Sequence, residues 1–184
     1  MLRTLLLVIG LATTSLAQEM VLQFVPAQTK VQFTLDATMH TVHGNFALKH
    51  GTVRFNPATS AVSGEIVLDA TSGNTENSGR DHKMHEDVLE SAKFPEIVFR
   101  PDRVDGKVSA GGTSAVQVHG SFSIHGGSHE MTLPVEVEMK PDGWKASTHF
   151  DIPFIDWGMK NPSTFLLHVG REVKLEVEAS GARP

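Results

Sequence analysis

The sequence predicts an all-β protein: an extended antiparallel barrel with one short inserted α-helix at about residues 81–92. Three observations carry that expectation. Apolar and polar residues alternate with period two in run after run, the pattern of a strand wetted on one face. Turn-forming clusters separate the runs, among them Asn56-Pro57-Ala58-Thr59-Ser60, His125-Gly126-Gly127 and Pro141-Asp142-Gly143. In the body of the chain one run alone, Ser78 to Phe99, spaces its apolar residues helically before a proline.

The strands follow in order. Val31, Phe33, Leu35, Ala37 and Met39 share one face, against Gln32, Thr34, Asp36 and Thr38 on the other. Val42, Gly44, Phe46 and Leu48 form the next face, then Val53 with Phe55, then Val62, Gly64, Ile66 and Leu68. After the helix come Ile97 and Phe99, followed by Val116, Val118, Gly120, Phe122 and Ile124. Met131, Leu133, Val135, Val137 and Met139 oppose Glu130, Thr132, Glu136 and Glu138. Trp144, Ala146, Thr148, Phe150 and Ile152 make another face, and Phe165, Leu167 and Val169 one more. The last is Val173, Leu175, Val177 and Ala179, opposed by Glu172, Lys174, Glu176 and Glu178. About ten short strands, each with an apolar side, close into a barrel or stack as a sandwich; an apolar face on every strand favours a barrel around one lumen.

In the helical block, Ser78 or Asp81 can cap the start, since Ser78-Gly79-Arg80-Asp81 has capping-box spacing. Met84, Val88, Leu89 and Ala92 form a narrow apolar stripe, and Pro95 forbids continuation. Arg80 and Asp81 read as an ion pair at its start. An internal echo, Val-His-Gly-x-Phe, recurs at Val42 and Val118. It places Gly44 and Gly120 on apolar faces, where a missing side chain marks a sharp bend or the close approach of a ligand, and the two read as equivalent corners of one barrel.

Composition narrows the function. The chain has 184 residues, 40% hydrophobic and 20% charged, with a formal net charge of -5, which is not the profile of a nucleic-acid binder. Residues 1–17 read as a secretory signal peptide: Arg3, an apolar run from Leu5 to Ala12, and Ser15-Leu16-Ala17 before Gln18. The remaining 18–184 form a single domain. No cysteine is present, so an exported chain would be held by its core alone, and a periplasm is the natural compartment. A membrane-spanning barrel is disfavoured, because no tyrosine and two tryptophans cannot build aromatic girdles. Neither a nucleophile elbow nor a phosphate loop occurs, so no reaction and no cofactor is expected. Of the ten histidines, His82 and His85 with Glu86 are the metal-ligand candidates, but the histidines stand at i, i+3 without a visible further ligand. Most of the others fall on polar phases. The Asp156 to Ser163 run suits a structured loop at a barrel rim.

Three stretches together resemble the YceI-like family of periplasmic, lipocalin-resembling proteins. They are Val31 to Pro57; Ser78 to Phe99, with its Arg-Asp, helix and aromatic-Pro-Glu-Ile order; and Val118 to Val137. The resemblance spans about Met20 to Val177. It implies a lipocalin-like barrel with a hydrophobic lumen that binds a long apolar molecule, such as a polyisoprenoid or a fatty-acid-like amide, and it implies no reaction. On that reading the inward phase lines the tunnel: Phe33, Leu35, Phe46, Val53, Phe55, Ile66 and Phe99 from the first half. Phe122, Ile124, Leu133, Phe150, Phe165 and Leu167 complete it. The alternation alone leaves other readings open. An eight-stranded barrel is either filled by its own side chains or holds one small ligand, a His82/His85/Glu86 metal protein stays in view, and so does a homodimer.

Overall fold

The computed structural model describes residues 19–182 other than Met39. The signal-peptide expectation for residues 1–17 therefore lies outside the described residues. Nine strands form: β1 (Met20–Phe24), β2 (Thr29–Asp36), β3 (Thr41–Asn56), β4 (Ala61–Asn74), β5 (Glu96–Asp105), β6 (Gly112–Ile124), β7 (Gly127–Met139), β8 (Gly143–Ile152) and β9 (Val173–Ala182). All pairings are antiparallel. β2 pairs with β9 as well as β3, and β3 pairs on with β4, so β2 to β9 close an eight-stranded ring. β1 continues the β2 position: Met20 to Phe24 pair with Phe55 to Gly51, while Val31 to Asp36 pair with Phe46 to Thr41 on the same edge of β3. Pro26 starts the single 3-10 turn that separates the two.

Antiparallel order divides the barrel into two ends. At one lie the β3–β4 and β7–β8 turns and both described chain ends. At the other lie the helix, the β6–β7 turn and the long connection from Ile152 to Val173. The turns follow the sequence signals. Asn56 Oδ1 accepts from the backbone N–H of Ala58 at 3.0 Å. His125 (φ 51°) and Gly126 (φ 75°) are both left-handed, which gives a two-residue turn the twist a hairpin needs.

The inward phase holds as expected, with corrections. The two apolar runs at Val42–Leu48 and Val53–Phe55 belong to one sixteen-residue strand, β3. Register shifts between Asn45 and His50 move the inward face from even to odd positions, as an inserted residue in a bulge must. A similar shift between Pro101 and Arg103 carries β5 from Phe99 to Val104. The Phe165–Val169 strand does not form; Val169 makes one isolated bridge to Ala37. β8 and β9 already pair along Gly143 to Ile152, so the ring offers that segment no free edge.

The helix also differs from its expected 81–92 span. α1 covers Ser78–Lys83 and passes into a π turn over Met84–Val88, with Leu89 N–H donating to Met84 O at 2.9 Å. The cap is Asn77, whose side chain accepts from Arg80 N–H at 3.0 Å, and not Ser78 or Asp81. Asp81 accepts instead from Thr75, through N–H and hydroxyl.

Candidate functional site

The barrel lumen holds two cavities, one above the other. The larger, about 350 Å³, lies at the helix end, and the smaller, about 140 Å³, at the other. A volume of several hundred Å³ with an apolar lining is in the range of small-molecule sites. Strand residues of the inward phase supply the larger cavity's walls, among them Phe33, Val42, Phe46, Ile97, Ile152 and Leu175. Met84, Val88 and Leu89 from the π turn roof it, together with Phe154, Met159 and Leu167 from the connection after β8. Buried Phe154 and Met159 fold back over the lumen, where Met159 N–H donates to Phe154 O at 3.0 Å.

A belt of side chains separates the cavities. Cross-strand register places Ile66 beside Phe99, Phe99 beside Phe122, Phe150 beside Leu175, and Leu175 beside Phe33. Phe122 meets Phe150 edge to face, with ring centroids 5.9 Å apart. Of the residues the alternation nominated, Phe33, Leu35, Phe46, Phe122, Ile124 and Leu167 line the larger cavity. Val53, Phe55, Ile66, Phe99 and Leu133 line the smaller. Phe150 lines neither and packs within the belt. Phe165 is a correction: it is 95% exposed, with Leu166 at 80%, because the connection carrying them does not form a strand.

Polar residues at the larger cavity are few and sit on the helix side: His40, Thr75, Arg80, Lys83 and Thr164. Buried Thr75 organises two of its neighbours. Its hydroxyl donates to Asp81 Oδ1 and accepts from Arg80 Nε at 2.7 Å, while its carbonyl accepts from Arg80 Nη2 at 2.8 Å. Arg80 and Asp81 are thus joined through Thr75 and make no direct ion pair, correcting that expectation.

The metal candidates do not converge. His85 Nε2 faces Gly73 O at 2.9 Å and Nδ1 faces Ser91 Oγ at 3.0 Å. A carbonyl only accepts, so Nε2 carries the proton and both ring nitrogens are engaged inside the fold. His82 and Glu86 form an exposed i, i+4 pair at 3.2 Å. A different trio, Asp102, His119 and Glu130, brings its ligand atoms within 4.8 Å of one another on the outer face of β5 to β7, with His119 Nδ1 2.7 Å from Asp102 Oδ1.

A profile of the YceI-like domain matches residues 22–180. The chain belongs to the YceI-like family. Three solved structures share the fold. BcnA of Burkholderia cenocepacia is 17% identical with a TM-score of 0.69, covering 86% of this chain and 99% of that one. A polyisoprenoid binding domain from Saccharophagus degradans, implicated in plant cell wall breakdown, is 14% identical with a TM-score of 0.66, covering 92% and 100%. The Campylobacter jejuni YceI protein is 17% identical with a TM-score of 0.59, covering 99% and 94%. No curated protein matches significantly.

Within this YceI-like barrel, several cavity residues were missed by the sequence reading. Met20, Leu22 and Phe24 line the smaller cavity. Their alternation with Val21 and Gln23 was a usable signal, shortened by Pro26. In the sequence Arg80 reads only as an ion-pair partner of Asp81, and Lys83 has no assigned role; Thr75, bonded to both Arg80 and Asp81, fixes the helix start beside the lumen.

Proposed function

We propose that this protein binds a long apolar molecule, a polyisoprenoid or fatty-acid-like chain, inside the barrel. It serves as a periplasmic carrier or sequestering protein and not as an enzyme. The observation that carries the reading is the nearly all-apolar cavity of about 350 Å³ in the barrel's helix end, partly roofed by Met84, Val88 and Leu89. Burying a chain there stabilises the complex by roughly 0.8 kcal/mol per methylene, so a long tail binds without a polar anchor being essential. A chain longer than the upper cavity must displace the belt at Phe122 and Phe150 to reach the smaller one. The family membership and the polyisoprenoid binding domain among the solved relatives support a lipid as the occupant.

The test is uptake. Delipidated protein mixed with a fatty acid or a polyprenol is expected to form a one-to-one complex by native mass spectrometry. Failure to take up either class removes the reading. With His85 committed to Gly73 and Ser91, no observation favours the His82/His85/Glu86 metal alternative.

A further inference from the structure

Lys83 is half-buried and lines the larger cavity, yet no carboxylate among the described residues lies within ion-pair distance of it. Its acidic neighbours along the helix are already engaged. Asp81 accepts twice from Thr75, and Asp87 Oδ1 accepts from Lys160 Nζ at 2.6 Å. Arg80, on the same wall, spends two of its five N–H donors on Thr75 and keeps the rest. His40 adds a titratable ring to the same lining. Asp87 feels the Lys83 charge, but its hydrogen bond goes to Lys160, so the Lys83 ammonium has no directly bonded anion. A cation at an apolar wall without such a partner is favoured by an anion that completes it.

We infer that the larger cavity receives an amphiphile with an anionic head, a carboxylate or a phosphate, seated against Lys83 with Arg80 beside it and its apolar chain running down the lumen. This inference rests on the lipid-binding reading and adds the head-group class to it. The apolar lining below these cations excludes a bare inorganic anion as the natural occupant, because such an anion would leave the rest of the cavity unfilled.

The experiment compares chain-matched pairs on the delipidated full chain: palmitic acid against hexadecanol, and geranylgeranyl phosphate against geranylgeraniol. Affinities are read by displacement of a fluorescent fatty-acid probe. At neutral pH the anionic member of each pair is expected to bind at least about tenfold more tightly, the worth of one charge-assisted hydrogen bond. Lys83→Met is expected to close most of that gap and Lys83→Arg to keep it, while Lys49→Met, altering a cation on the barrel's outer surface, keeps the wild-type gap. Thermal unfolding of each variant confirms that it is folded. Equal affinity for acid and alcohol, or a gap that survives in folded Lys83→Met, overturns the head-group inference and leaves the lipid-binding reading standing. Displacement of the probe by millimolar inorganic phosphate alone overturns the amphiphile in favour of a free anion. Failure of all four chains to bind overturns both readings.

Discussion

Gly120 sits where β6 lies tight against the backbone of β5. A Cβ there would lie 2.3 Å from Arg100 O and 2.8 Å from Pro101 Cα, and backbone cannot move aside as a flexible side chain can. Gly120→Ala is therefore expected to cost about 1–3 kcal/mol in urea unfolding, as overpacking does; a change within experimental error would mean that the strands can separate there. Gly44 is crowded differently, its missing Cβ lying 2.3 Å from Phe33 Cζ. The repeated Val-His-Gly-x-Phe run was legible as two equivalent corners, but what approaches the glycines is the protein's own backbone at Gly120 and the Phe33 ring at Gly44. His85 gives a second residue-level prediction. His85→Ala leaves Gly73 O and the buried Ser91 hydroxyl without their partner and is expected to lose about 1–3 kcal/mol. Zinc titration followed by thermal unfolding should respond alike in wild type and variant; a zinc-dependent rise in Tm lost on mutation would restore the metal reading. From sequence His85 looked like a ligand or a solvated residue, because its partners are a strand carbonyl and a serine beyond the helix, brought near only by folding.

The elements that close the helix end are joined by apolar packing and by an ion pair. Lys160, in the connection after β8, donates to Asp87 in the π turn. That hydrogen bond holds the Asp87 carboxyl below its ordinary value of 3.8, outweighing the opposing desolvation, with help from the charges of Lys160, Lys83 and His82. A depressed folded pKa means that the pair's contribution is present above pH 3.8 and is lost as pH falls through the lower folded value. The roof tie should therefore be indifferent to pH across the neutral and mildly acidic range. An NMR titration of Asp87 is expected to show a midpoint below 3.8, returning toward that value in Lys160→Met. A wild-type midpoint at or above it would show that the tie does not form in solution. At this scale the strands were legible wherever the alternation was unbroken, as in β6, β7 and β8. The bulges in β3 and β5 were not, since an inserted residue reads locally as the end of one strand and the start of another. The Phe165–Val169 segment alternates like a strand, but β9 already occupies the edge of β8 and pairs with β2, so it has no neighbour to accept it.

Across the whole molecule, ring closure converts nine one-sided strands into one lumen with two cavities and a belt between them. The barrel and its inward residues could be read from the alternation. The division of the lumen could not, because it depends on which aromatic rings face one another across the barrel. Phe122→Trp probes that division. In a barrel that accepts a ligand, the larger ring occupies cavity space, so lipid load falls while the fold tolerates the change; a packed core would instead lose about 1–3 kcal/mol. The central claim, that the lumen is a lipid site, is tested most directly by native mass spectrometry of the purified protein before and after organic extraction. The account predicts a one-to-one adduct of a long-chain apolar molecule that disappears on extraction and returns when a fatty acid or polyprenol is added back. A protein that is bare as purified and stays bare with every chain offered would contradict it.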